Sequence, residues 1–183
     1  MRILITGERG VGKTTLADRV FEKLIAKPVG FRTIPLYENY RKVGYFLQDL
    51  QTGEKRLFAH RDFTDAERFA EFGLHKRVFE EFGISILTNA SLKSGWILLD
   101  EIGVMEMGCA PFVEALGNLW RLPRNQFWVV QKRSPFLETL AKMGLPYMRF
   151  EVTVFNRVEL AHEILKEIRN SEGSADSYDW SLS

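Results

Sequence analysis

The chain has 183 residues, with 25 Lys and Arg against 24 Asp and Glu, so its formal net charge is +1, and 45% of its residues are hydrophobic. This composition excludes a chain that is disordered throughout, and the length suits one domain with a sizeable core. A balanced charge gives no general attraction to nucleic acid or to an anionic membrane, so we expect neither as a partner.

The cysteine content bears on the compartment. Cys109 is the only cysteine, so an internal disulfide is excluded and a reducing environment is expected. No apolar run reaches the roughly 18 residues that a membrane helix needs. We therefore expect a cytoplasmic protein.

The N-terminal segment combines an apolar run with a glycine-rich pattern. Residues 3–6 predict a buried strand, and apolar residues at helical spacing predict a helix that ends before Pro28. Between them lies Gly7-x-x-x-x-Gly12-Lys13-Thr14, the phosphate-binding loop pattern. Its backbone N–H groups form an anion nest, Lys13 reaches the β- and γ-phosphates, and the Thr14 hydroxyl ligates Mg²⁺. The segment predicted to bind phosphate comprises Gly7, Glu8, Arg9, Gly10, Val11, Gly12, Lys13, Thr14 and Thr15.

The next segment has a β-type sequence pattern in place of the helical spacing before it. Short β-type runs separated by polar turns predict an antiparallel hairpin or meander at about 29–60, inserted into the main fold. Thr64 and Glu67 have capping-box spacing and predict the start of a short helix. Apolar residues at helical spacing then predict helix over 74–87, interrupted by Gly83.

A second chemical motif lies in the middle of the chain. Residues 96–99 are continuously apolar, as in a strand covered on both faces, and Asp100 and Glu101 follow at its carboxyl end. This is the Walker B arrangement, in which Asp100 would hold Mg²⁺ and Glu101 would polarise a water for attack on the γ-phosphate. The alternative interpretation is a strand that simply ends in solvated acids.

Strands and helices continue to alternate to the end of the chain. The alternation predicts an α/β fold with a mainly parallel sheet and helices on both faces over residues 1–170, and the glycine loop makes the P-loop NTPase type the expected one. Residues 171–183 are serine-rich and predict a flexible tail. The predicted elements of this part are a helix after Pro111, a strand at 127–130, a helix from Ser134-Pro135 to Gly144, a strand at 150–155 and a helix from Asn156 to about Arg169.

Three motifs together resemble a known family. The phosphate loop, the run Asp100-Glu101-Ile102-Gly103-Val104-Met105-Glu106 and the later Asn156-Arg157 are similar to the small nucleoside-triphosphatases first described from thermophiles. The resemblance covers residues 1 to about 168. It implies slow, Mg²⁺-dependent hydrolysis of ATP, GTP and other nucleoside triphosphates, with weak base selectivity. For Glu106 it leaves open support of the site or a cap on the next helix.

Several polar side chains are further candidates for the site. Arg9 would lean over the phosphates or face solvent. Asn156 suits a helix cap, and Arg157 would contact the nucleotide or solvent. The basic pairs would either supply an arginine finger or form solvated turns; they are Arg121 with Arg124 and Lys132 with Arg133.

The motifs leave three functions open. The first is a nucleoside-triphosphatase that uses Mg²⁺, with Lys13 and Glu101 as its catalytic residues and Thr14 and Asp100 as its metal ligands. The second is a nucleotide or small-molecule kinase, which uses the same loop with another acceptor. The third is a nucleotide-gated switch, although the chain has no Asn-Lys-x-Asp tetrapeptide for guanine. We expect a monomer.

Overall fold

The computed structural model describes residues 1–64 and 66–173. Within this part of the chain, no helix is long and apolar enough to cross a membrane. The strands are β1 (Arg2–Gly7), β2 (Val29–Glu38), β3 (Arg41–Asp49), β4 (Lys55–His60), β5 (Glu67–Phe69), β6 (Phe72–Leu74), β7 (Ile97–Ile102), β8 (Gln126–Val130) and β9 (Met148–Val152). The helices are α1 (Lys13–Leu24), α2 (Ile84–Leu92), α3 (Ala110–Arg121), α4 (Phe136–Lys142) and α5 (Arg157–Gly173), with a π-helix at Val78–Gly83 and a 3₁₀ turn at Glu106–Gly108.

One mixed sheet joins the nine strands of the described residues, in the order β5-β6-β4-β3-β2-β7-β8-β1-β9. The five strands from β2 to β9 in this order are parallel neighbours, and β3 to β6 extend the sheet as antiparallel strands. The predicted α/β class with a mainly parallel core is confirmed. Because β1 and β7 are parallel, the phosphate loop after β1 and the acids on β7 lie at the same edge.

The central strands are covered on both faces, and their residues alternate between two cores. On β1, Ile3 and Ile5 face α1 and α5, whereas Leu4 faces the layer of α2, α3 and α4. On β8, Phe127 and Val129 join the first of these cores, and Trp128 joins the second. Burial on both faces explains why these strands are apolar throughout.

The segment at 29–60 is built differently from the predicted insertion. Strands do form there, but β2 pairs in parallel with β7 from Val29↔Ile97 to Arg32↔Asp100, so it belongs to the central sheet. On its other edge, β2 pairs with β3 from Phe31↔Asp49 to Glu38↔Arg41, and the two-residue turn between them has positive φ at Asn39 and Tyr40, as a hairpin turn of this length requires. The antiparallel extension therefore begins at β3 and runs on to β6.

The helix predicted from Thr64 and Glu67 is wrong. Residues 67–74 form the hairpin of β5 and β6 instead. Tertiary packing overrides the local capping signal, because this arrangement buries Phe72 and places its ring 5.4 Å from that of Tyr45.

The ends of two helical regions also differ from the sequence prediction. The predicted interruption at Gly83 is the end of the π-helix, and a Cβ on that glycine would lie 2.8 Å from Cε2 of Phe112, so glycine allows α3 to approach. Helix α5 continues through residue 173, past the predicted end at Arg169. The rest of the predicted tail, 174–183, lies outside the described residues.

Candidate active site

The phosphate loop joins β1 to α1 and depends on three glycines. Gly7, Gly10 and Gly12 have φ of 153°, 79° and 95°, which L side chains rarely adopt. Gly7 also permits a close approach, since a Cβ there would lie 2.5 Å from the Val152 carbonyl oxygen at the end of β9. The loop is thus fixed against the sheet, with the N-terminus of α1 behind it as in an anion site.

Lys13 is buried in this loop and its ammonium faces three acceptors. Nζ donates to the carbonyl oxygens of Gly7 at 3.2 Å and Glu8 at 2.9 Å. It also lies 3.4 Å from Oε1 of Glu101 on β7. The side chain therefore connects the phosphate loop directly to the second motif.

Thr14 and Asp100 also contact each other between the phosphate-loop segment and β7. Asp100 is fully buried, and its Oδ1 accepts a hydrogen bond from the Thr14 hydroxyl at 3.1 Å. Mg²⁺ holds its ligands at roughly 2.0–2.1 Å in an octahedron, so adjacent ligand oxygens lie about 2.9 Å apart. The two oxygens therefore fit neighbouring positions of a magnesium site. Among the described residues, no group of three or more His, Cys, Asp or Glu side chains could hold a metal.

Arg32 is a site residue that the sequence reasoning missed. From β2 its Nε lies 3.0 Å from Oδ2 of Asp100, and its Nη2 donates to Asp18 of α1 at 2.6 Å. Burial raises the pKa of Asp100 to about 6, and Arg32 counters that rise. Asp18 is four residues after Thr14 on α1, a helical spacing that points both side chains the same way. No local sequence pattern marks Arg32 as a site residue, because its position beside Asp100 depends on the pairing of β2 with β7.

Glu101 lies beside Asp100 but belongs to a bulge. Asp100 pairs with Val129 and Ile102 with Val130, so Glu101 is an extra residue in β7. Its carbonyl oxygen accepts a hydrogen bond from the Thr33 hydroxyl at 3.3 Å. Its side chain is 25% exposed, although Oε1, the oxygen that faces Lys13, is buried.

Glu106 supports the loop that follows β7. Its side chain is buried, and its Oε2 accepts a hydrogen bond from the Gly103 backbone N–H at 2.8 Å. Burial raises the pKa of this carboxyl to about 7. A Cβ on Gly103 would lie 2.6 Å from the Gln131 amide nitrogen, so the Gln131 side chain would have to move to admit one. Glu106 thus holds the loop after β7, and α3 has no side-chain cap hydrogen bond, so the predicted helix cap is not formed by Glu106.

The other phosphate-loop residues have varied surroundings. Arg9 donates a hydrogen bond to the Tyr45 hydroxyl on β3, so it bridges the loop to the antiparallel strands. Glu8 lies 3.8 Å from Nζ of Lys132. Val11 packs against the core of α1 and α5, and Thr15 is exposed.

The two basic pairs lie at opposite edges of the sheet. Lys132 and Arg133 follow β8 at the edge of the phosphate loop, and Lys132 pairs with Glu151 at 2.7 Å. Arg121 and Arg124 precede β8 and therefore lie at the far edge, where Arg124 donates to the Ser91 carbonyl at 3.0 Å. The arginine-finger hypothesis for Arg121 and Arg124 is wrong on this geometry.

Asn156 and Arg157 begin α5 beside the phosphate loop. The Asn156 side chain accepts from the Thr153 N–H at 2.8 Å and donates to the Glu151 carbonyl at 3.0 Å, so it organises the preceding loop instead of capping α5 with a side-chain hydrogen bond. A Cβ on Gly12 would lie 3.0 Å from Nη1 of Arg157. The Arg157 side chain is thus in contact with the last glycine of the loop.

Comparisons with known proteins agree on one family. A family model described as NTPase matches residues 2–165. Nucleoside-triphosphatase THEP1 of Thermotoga maritima is 30% identical over 174 residues, which cover 94% of this chain and 98% of that protein. The crystal structure of THEP1 from Aquifex aeolicus has a TM-score of 0.77 and 30% identity, and covers 91% of this chain and 98% of its own. The solution structure of a human cancer-related nucleoside triphosphatase has a TM-score of 0.75 and 25% identity. The match covers 93% of this chain and 98% of that protein.

Proposed function

The chain belongs to the nucleoside-triphosphatase family whose model it matches over residues 2–165, and we propose that it hydrolyses nucleoside 5′-triphosphates to diphosphate and phosphate with Mg²⁺ and with broad base specificity. One observation carries this proposal. Lys13 of the phosphate loop lies 3.4 Å from Glu101, while Thr14 lies 3.1 Å from Asp100. Charge neutralisation, metal binding and water activation are therefore available at one point.

Thr14 and Asp100 are the residues that would hold the metal. A Mg²⁺ ion held by these residues would supply Lewis-acid chemistry there, by neutralising charge that develops during phosphoryl transfer. Arg32 holds the second oxygen of Asp100, which leaves Oδ1 directed to Thr14. Arg32 therefore acts as a positioning residue for this carboxylate.

Lys13 and the loop backbone stabilise the phosphate oxygens. The ammonium is held by the Gly7 and Glu8 carbonyl oxygens at the loop that leads into α1, so it can share the negative charge of a terminal phosphate with the loop N–H groups. Such donors are fixed before the reaction and need little reorganisation during it.

Glu101 is the candidate base. Its side chain is partly exposed and its carboxylate can accept a proton from a water, and the bulge in β7 sets it apart from Asp100, which would be the metal ligand. The two neighbouring acids can thus have separate roles.

The space around the loop favours water as the acceptor. A cavity of about 180 Å³ lies between Arg9, Tyr45 and Met105, and another of about 260 Å³ lies between Glu8 and Arg133. Both are smaller than the roughly 300–1,000 Å³ of typical small-molecule sites. A kinase would need room for a second substrate.

The oligomeric state, the location and the partners of the protein form part of the same proposal. We expect a monomer and a cytoplasmic location, and the buried free thiol of Cys109 is consistent with that location. The net charge of +1 supports nucleotides over nucleic acids as partners.

The test is Glu101→Gln, with Glu114→Gln on the exposed face of α3 as a matched control. Phosphate release from ATP, GTP, CTP and UTP is measured with and without Mg²⁺. Because general base catalysis contributes roughly 10²–10⁴-fold, Glu101→Gln should lose at least about 100-fold in kcat while binding nucleotide nearly as well. Hydrolysis by this variant at the wild-type rate would exclude Glu101 as the base. Nucleoside monophosphates are added in a second series, where ADP formed without free phosphate would indicate a kinase.

A further inference from the structure

The loop between β9 and α5 exposes apolar side chains next to the phosphate loop. Phe155 is 90% exposed and its neighbour Val154 is 56% exposed. A large aromatic side chain left in water forgoes the free energy of burial. Its position beside a ligand site makes it available to a ligand that has an aromatic face.

Hydrogen bonds hold this loop in one shape. The Asn156 side chain bonds the Thr153 N–H and the Glu151 carbonyl, and the Thr153 hydroxyl accepts from the Phe155 N–H at 3.3 Å. The loop is therefore anchored at both ends. A fixed platform loses less entropy on binding than a mobile one.

The same segment contacts the phosphate loop at two points. The Val152 carbonyl approaches Gly7, and the Arg157 side chain lies against Gly12, where a Cβ would be 3.2 Å from its Cδ. Among residues 1–64 and 66–173, no carboxylate forms an ion pair with Arg157. Its charge is thus available to an anion on the loop.

The order of the strands gives the direction of a bound nucleotide. The acids are on β7, which β8 separates from β1, whereas β9 lies on the other side of β1. Hydrolysis requires the γ-phosphate to face Glu101. The nucleoside end then extends away from β7, toward the loop after β9.

We propose that residues 153–157 form the nucleoside subsite, in which Phe155 stacks on the base and Arg157 contacts the phosphate nearest the ribose. This subsite rests on the proposed function. Stacking on an aromatic ring accepts any base, because every base has a π-face. The subsite therefore accounts for broad base specificity without hydrogen bonds that read the base edge.

The experiment compares Phe155→Ala with Tyr40→Ala, a fully exposed aromatic in the turn between β2 and β3. Affinities for Mg²⁺ complexes of ATP, GTP, CTP, UTP and inorganic tripolyphosphate are measured by calorimetry. Stacking on one base predicts that Phe155→Ala weakens all four nucleotides by roughly 5- to 100-fold, with tripolyphosphate changed less than about twofold. Tyr40→Ala should match wild type, and Phe155→Tyr should restore affinity.

Either of two results overturns the subsite: nucleotide affinity unchanged in Phe155→Ala, or an equal loss for tripolyphosphate. Photolabelling of the wild-type protein with 8-azido-ATP gives an independent result, because trypsin releases residues 150–157 as one peptide. Label on that peptide supports the subsite, and label only elsewhere contradicts it. If wild-type protein hydrolyses ATP while these tests fail, the subsite is wrong and the proposed hydrolysis stands.

Discussion

Glu106 illustrates how one residue couples the site to stability. Its carboxyl is buried, bonded to the Gly103 N–H, and has a pKa raised to about 7 from an ordinary 4.5. The folded protein therefore binds a proton at Glu106 more tightly than the unfolded chain does. Between these two values, a rise in pH removes stability, because the buried side chain must become charged.

We predict that Glu106→Gln removes this dependence. A neutral amide oxygen can still accept from Gly103, but no charge is buried at higher pH. Relative to wild type, the variant should gain roughly 3 kcal/mol in the free energy of unfolding between pH 4.5 and pH 8, with most of the change complete by pH 7. Urea unfolding at a series of pH values measures this. A difference between the two proteins that does not vary with pH would contradict it.

At the scale of elements, β2 is the strand that joins the parallel core to the antiparallel extension. Gly30 lies where β2 pairs with β7, with φ of 123°, and a Cβ there would lie 2.2 Å from the Leu98 carbonyl oxygen. The close pairing of these strands is what brings Arg32 to Asp100. A single methyl group at Gly30 would therefore disturb the site from a distance.

We predict that Gly30→Ala lowers the free energy of unfolding by roughly 3 kcal/mol or more, because a strained φ is combined with a backbone clash. Gly53→Ala is the matched control, since Gly53 also has a positive φ of 77° but open space around it. Gly53→Ala should lower the free energy of unfolding by only about 1 kcal/mol, which is the cost of the strained φ alone. Urea unfolding compares them, and equal losses would show that the clash is relieved by a small shift.

The sequence could predict those elements that have a strong local signal. The glycine loop between a strand and a helix, the apolar strand before Asp100 and the helix after Pro111 all follow from patterns within a few residues. The hairpin at 67–74 could not be predicted, because its burial depends on Tyr45 in another strand. Arg32 in the candidate site depends on the register of β2 against β7, which no local pattern contains.

The whole molecule is organised as two cores separated by one sheet. Leu116 of α3 is fully buried on one face, and Ile164 of α5 is fully buried on the other. Because each central strand contributes side chains to both cores, neither layer of helices can separate without exposing the sheet. We therefore propose that residues 1–170 unfold as one domain.

We predict that Leu116→Ala and Ile164→Ala each cost roughly 2–5 kcal/mol and that both variants keep a single unfolding transition. Leu92→Ala, at a side chain that is 78% exposed, is the control and should change stability little. Circular dichroism in the far and near ultraviolet monitors the transition. Two separated transitions in either core variant would show that the faces unfold independently.

The position of β1 in the sheet has a consequence for synthesis on the ribosome. Ile3 pairs with Phe127 on one side and Met148 on the other, so β1 is synthesised long before either of its partner strands. At about 5–20 residues per second, the delay until Met148 is made is roughly 7–30 s. During this delay the apolar β1 strand is unpaired and is a segment to which chaperones can bind. The phosphate loop after β1 then has no neighbouring strands to hold its conformation. Nucleotide can therefore stabilise the finished chain but cannot assist the nascent one.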